Sequence, residues 1–284
     1  MDRAGVVDRM RRDGLSAAVM RAWMVAPLLA AAPVVMTIGL MTRAYVRAAN
    51  ARRLRRAACP FEDDDDTGRP LLREAADIVR ESLTLLRLLL AGLNPIPGAW
   101  RGLDSHPGPG PVIVLLPEHR LPVASLARLG RRLAADLDAS VHVEPSTGGS
   151  VDARADRLVD RLAHLAAATQ GRVLMLVGHG AGGLVARRAA RTMRGRQVRV
   201  VTLATPHQGL EEPASRDALV DRVDVINLYS LHDALVVPAE RAYLAGAYNV
   251  ALRDEGHFGL VTRERPYVIL REALADLGSH AAAS

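Results

Sequence analysis

The chain has no lysine, one cysteine and few aromatic residues: two phenylalanines, two tryptophans and five tyrosines in 284 residues. With Cys59 alone, no disulfide forms within the chain, which excludes a disulfide-stapled scaffold and leaves the redox compartment open. Aromatics at 3% leave the core to Leu, Val and Ala, within a hydrophobic fraction of 49%. The missing lysines put every basic charge on arginine, a compositional bias rather than a functional signature. Net charge is +6, and Arg43, Arg47, Arg52, Arg53, Arg55 and Arg56 alone supply six positive charges. The basicity is therefore local. No aromatic-interleaved basic stripe accompanies it, so the reading is no nucleic acid partner.

Charge is absent from Ala22 to Thr42, 21 residues long. That length spans a bilayer core of roughly 30 Å. Pro27 and Pro33 would break a soluble helix but are tolerated in a membrane span. A cleaved signal peptide fits less well, given the long leader and the proline directly after the small-residue run. The expectation is a polar segment at 1–21 and a single-pass transmembrane helix at 22–42, with the membrane as a partner. Arginines flank the span on both sides: Arg3, Arg9, Arg11, Arg12 and Arg21 before it, and six after it. The balance leans to a domain on the cytoplasmic face of a bacterial inner membrane.

Residues 43–110 read as a basic and acidic linker with one amphipathic helix. The run Asp63-Asp64-Asp65-Asp66 is a solvated acidic stretch, and no metal site or cofactor is read from it. Leu71–Leu93 has helical period and is too charged to span; it packs on the domain or lies at a bilayer surface. After a proline-rich break, residues 111–284 alternate apolar strands with helical patterns. Continuous apolar strands alternating with helices imply a three-layer α/β domain around a mainly parallel sheet.

The organising stretch is Leu174–Arg187. Four apolar residues enter a glycine turn that opens an alanine-rich helix, the layout of a nucleophile elbow, G-x-S-x-G. Here it reads Gly178-His179-Gly180-Ala181-Gly182. The serine position carries Gly180, so the attacking hydroxyl is missing.

Four stretches in order, VLMLVGHGAGGLVARRA, VVTLATPHQG, NLYSLHDALVVP and NVALRDEGHFGLV, make this part of the chain resemble the α/β-hydrolase superfamily, in its bacterial lipase/esterase-like branch. The resemblance implies Asp233 as the triad acid, His257 as the general base and Gly180 at the lost nucleophile position. It implies an oxyanion donor at the Ala181 N–H and a second donor in the loop after the first strand. That loop reads Pro117-Glu118-His119: the proline has no N–H to give, and Glu118 brings a carboxylate towards developing negative charge. His207 matches a structural position near the site. His106, His119, His142, His164 and His232 carry no partner pattern.

Two altered catalytic elements on a kept scaffold point to a membrane-anchored pseudoenzyme that binds a protein partner or a lipid ligand. The alternative is an active carboxylic-ester hydrolase using activated water or a non-standard nucleophile, Ser230 being the nearest serine by motif. A third reading makes Gly180 an inactivating change that Gly180→Ser would reverse. The short connection between Leu203 and Val223 leaves little lid to cover an acyl chain. Arg187, Arg188, Arg191, Arg194 and Arg196 after the elbow form a solvated face or, more sharply, a contact for anionic headgroups.

Overall fold

The computed structural model describes residues 71–91, 110–119, 121–146, 148–168, 172–193, 198–208 and 225–282. The expected span at 22–42, the segment 1–21, the acidic run 63–66 and most of the connection after Leu203 lie outside them. Among the described residues no helix is long and apolar enough to cross a membrane.

The chain divides into two compact units, Met1–Ser82 and Leu83–Ser284. Of the first, the described part is helical and begins α1 (Leu71–Ala91). The second holds the rest of α1, whose Leu85 and Leu88 pack against Leu121 and Phe258. This part of the amphipathic helix thus packs on the domain.

The second unit then runs β1 (Val112–Leu116), α2 (Ala124–Leu137), β2 (Ser140–Val143), α3 (Val151–Ala168), β3 (Leu174–His179), α4 (Ala181–Thr192), β4 (Val198–Leu203), β5 (Val225–Ser230), β6 (Tyr248–Leu252), α5 (Gly259–Thr262) and α6 (Glu264–Ala282). The strands form one sheet in the order β2-β1-β3-β4-β5-β6, with every neighbouring pair parallel. Every residue of β1 and β3 is buried. Alternate side chains feed opposite faces, as the pleat requires. Ile113, Leu115, Met175 and Val177 meet Leu129 and Leu133 of α2 and Leu270 and Leu274 of α6. Val114, Leu116, Leu174 and Leu176 meet Leu158 and Leu162 of α3 and Val185 and Ala189 of α4.

Helix α4 approaches the sheet closely because its inner face is made of small residues. A methyl group built on Gly183 would lie 1.9 Å from Thr205 Oγ1, and Thr205 is fully buried. Gly183→Ala is therefore expected to cost about 1–3 kcal/mol by overpacking, read as a lowered urea midpoint with an unchanged slope.

Strand β1 neighbours β2 on one side and β3 on the other, so the connections diverge there. In open parallel sheets the crevice at such a switch point, beyond the carboxyl ends of the strands, is where ligands bind. The loops leaving β1 and β3 carry Glu118 and Gly180.

Candidate functional site

Strand β3 ends at His179, and Gly180 makes the turn into α4 with φ +53° and ψ −123°. The turn is held by Gly180 N–H donating to Leu203 C=O at 2.8 Å and by Gly183 N–H donating to Gly180 C=O at 3.0 Å. An L side chain in this backbone region is strained, and glycine is not.

Asp233 and His257 meet. His257 Nδ1 donates to Asp233 Oδ2 at 2.8 Å. The other oxygen, Oδ1, accepts N–H bonds from Leu235 at 2.7 Å and Val236 at 2.9 Å, which fixes the carboxylate in its turn after β5. This pair orients the imidazole with Nε2 facing the elbow.

The residue facing Nε2 is Glu118. Its Oε2 lies 3.6 Å from His257 Nε2 and accepts the Ala181 N–H at 2.9 Å. A Cβ built on Gly180 would sit 1.5 Å from that oxygen, 2.6 Å from Glu118 Cδ and 3.3 Å from His257 Nε2. The carboxylate of Glu118 therefore fills the volume in which an elbow side chain would stand. It also takes the Ala181 N–H, the donor that the resemblance implies for an oxyanion. Glu118 Oε1 accepts the N–H of His119, and the preceding Pro117 carbonyl accepts from Arg154 Nη2 at 3.4 Å.

Charge follows geometry. Burial disfavours a charged imidazole at His257, but Asp233 and Glu118 on its two nitrogens overcome it and push the pKa up to about 10. Burial likewise disfavours the Glu118 carboxylate. The charge of His257 3.6 Å away, the His179 ring and the Ala181 N–H outweigh that and lower it to about 2. The His257 ring thus stands in a row between Asp233 and Glu118, and the charged forms of His257 and Glu118 favour one another.

His179 holds the row from below. Its Nε2 donates to the His257 carbonyl at 3.0 Å, and the two rings stand 4.6 Å apart. Burial first, then the charge of His257, lowers His179 to about 4, so it stays neutral. The sequence reading did not single out His179 or Arg154; a polar residue ending an all-buried strand was the available signal for the first.

The remaining expected residues sit elsewhere. Ser230 is fully buried; its hydroxyl donates to Glu255 C=O and accepts the His232 N–H at 3.0 Å. It is a structural clamp of the β5 end, which corrects its candidacy as a nucleophile. His207 joins Thr202, Asn227 and Arg187 in a buried network. Arg188 pairs with Asp152 at 2.9 Å; Arg194 and Arg196 lie outside the described residues. Among the described residues no group of His, Cys, Asp and Glu could hold a metal ion.

Comparison with solved structures places this architecture. The chain is similar to the lipase BlEst2 of Bacillus licheniformis in its mature form, with a TM-score of 0.50 and 18% identity, over 63% of this chain and 99% of that one. It is also similar to a thermophilic esterase from Thermogutta terrifontis, at TM-score 0.48 and 16% identity over 60% and 91% of the two chains. A third is the type II thioesterase BorB from the borrelidin biosynthetic cluster, at 0.46 and 19% over 64% and 100%. No family model matches the chain, and no curated protein matches it. The likeness to the lipase shows the fold: the second unit has an α/β-hydrolase fold.

Proposed function

We propose that this protein is a catalytically silent α/β-hydrolase-fold protein, anchored to a membrane through residues 22–42 and acting by binding a protein partner or a lipid. One observation carries the reading: the carboxylate of Glu118 stands 1.5 Å from where a Gly180 side chain would begin. The glycine and the glutamate are complementary, a side chain removed from one loop and a side chain supplied from another.

Each requirement of acyl transfer fails in turn. No hydroxyl sits at the elbow. His257, with Asp233 and Glu118 on its two nitrogens, is biased towards its protonated form, which makes it a poor proton acceptor. The Ala181 N–H, which would stabilise an oxyanion, is bonded to Glu118. The alternative of a working hydrolase needs a nucleophile, and the group at His257 Nε2 is a carboxylate held at a pKa of about 2. Tied into an ion pair on one oxygen and to His119 on the other, that carboxylate is a stabilised anion.

The full chain, purified in mild detergent, is expected to hydrolyse p-nitrophenyl butyrate no faster than a heat-denatured control and to take up no fluorophosphonate label. Turnover well above the control that disappears in Glu118→Gln or Ser230→Ala would overturn the proposal.

A further inference from the structure

Resting on that reading, we infer that residues 83–91 of α1 form a strap across the two loops of the site, and that the seating of this strap is coupled to the seating of Glu118 against His257. Leu88, Leu121 and Phe258 make a small buried cluster of their own, with Leu85 packed against it. Each of its two loop members leads directly to a residue of the row. Leu121 N–H donates to Glu118 C=O at 3.1 Å, so the turn that packs with Leu88 is the turn that aims the glutamate. Phe258 follows His257 in the chain, and its ring stands edge-on to the His257 imidazole, with 5.0 Å between centroids and 79° between planes. It also lies 5.9 Å from the His179 ring. One helix thus packs on both loops that meet at the Glu118 and His257 contact.

The strap is separable from the core of the domain. The two clusters that fill the faces of the sheet include none of the described residues of α1. A helix held by a few apolar side chains opens locally, at a free energy below that of global unfolding. Glu118 is the member of the row able to move with it: its side chain is 22% exposed, against 3% for His257 and 1% for Asp233. With the strap seated, Leu121 packs with Leu88 and Phe258, and Glu118 stays on the Ala181 N–H at 2.9 Å. With the strap lifted, the Leu121 turn loses its apolar cover and Glu118 loses its fixed backbone. A coupling free energy is reciprocal. What frees the strap loosens Glu118, and what loosens Glu118 frees the strap. The chain before α1 leads back to the proposed anchor at residues 22–42, so the strap is the covalent link between anchor and site.

The test uses the full chain in mild detergent, with amide hydrogen exchange of residues 83–91 and the titration midpoint of the His257 ring as two readouts. Leu88→Gln, which adds no charge, is expected to speed exchange at residues 83–91 at least about fivefold, to leave β1 and β3 protected, and to lower the His257 midpoint. Glu118→Gln is expected to speed exchange at residues 83–91 by a similar factor, of about fivefold or more, although it lies outside the helix. In the double variant the His257 midpoint is expected to fall no further than in Glu118→Gln alone, since the strap acts on the ring through Glu118. Unchanged exchange at residues 83–91 in either single variant overturns the inference. So does a freed strap with the His257 midpoint of the wild type, or a midpoint that falls further in the double variant. If Leu88→Gln does not fold, the exchange of residues 83–91 in Glu118→Gln decides alone. Ester turnover is followed in the same samples: a wild type that hydrolyses ester sinks the silent-enzyme reading, while the coupling is read from differences between variants and stands or falls separately.

Discussion

Gly180→Ser combined with Glu118→Gly is expected to hydrolyse p-nitrophenyl butyrate on the order of 10³-fold faster than the wild type, whereas Gly180→Ser alone stays at least about tenfold below the double variant. The reason is spatial. A serine Cβ at position 180 would lie 1.5 Å from Glu118 Oε2. The end of a flexible side chain can swing aside, so the single variant is expected to fold. The displaced carboxylate still opposes the charge that develops in acyl transfer, from the loop that must supply the second oxyanion donor. Removing it does three things at once: it clears the volume, frees the Ala181 N–H and takes one of the two anions from His257. With Asp233 alone as partner, His257 returns towards a value at which it can act as a base. A single variant as active as the double would show that Glu118 is no barrier. An inactive double variant would place the defect in the loop after β1 itself.

His257→Ala is expected to destabilise the folded chain by about 3–5 kcal/mol, since it leaves the buried Asp233 carboxylate without its cation. Asp233 and His257 are among the most buried charged side chains of the fold. Chemical denaturation is the measurement that reports it. The pH dependence follows from the directions of the shifts. His257 is raised from 6.5 to about 10, so its contribution is complete below pH 6.5 and lost as pH climbs through about 10. Glu118 is lowered from 4.5 to about 2, so its contribution is complete above pH 4.5 and lost as pH falls through about 2. The row therefore contributes most between pH 4.5 and pH 6.5. Glu118→Gln should flatten both limbs of the difference profile; an unchanged profile would show that the row carries no charge.

Much of the second unit was legible in the sequence because its strands are continuous apolar runs bounded by turn residues. Val198–Leu203 and Tyr248–Leu252 are strands within the stretch where apolar runs alternate with helical patterns, and β3 runs on to His179. The short helix Gly259–Thr262 and the turn at Ala239–Ala242 were not foreseen, since single turns set by tertiary packing carry no periodicity. The elbow at Gly180 and the neighbourhood of Asp233 and His257 followed from motif order. The role of Glu118 did not. A carboxylate after β1 reads as an impairment of the oxyanion loop; that it stands in the space of a missing side chain depends on a contact between loops 63 residues apart. Ser230 misled for the opposite reason, because nothing local reveals that its hydroxyl is used by Glu255 and His232.

The central claim is that Glu118 and Asp233 together keep the elbow imidazole charged and idle. Nitrogen NMR of the histidine rings, with His257 assigned by its absence in His257→Gln, tests this most directly. The account predicts that both ring nitrogens of His257 stay protonated from pH 6 through pH 8.5, titrating only near 10, and that Glu118→Gln lowers that midpoint. A neutral His257 at pH 7.5 with a midpoint near the ordinary 6.5 would contradict it.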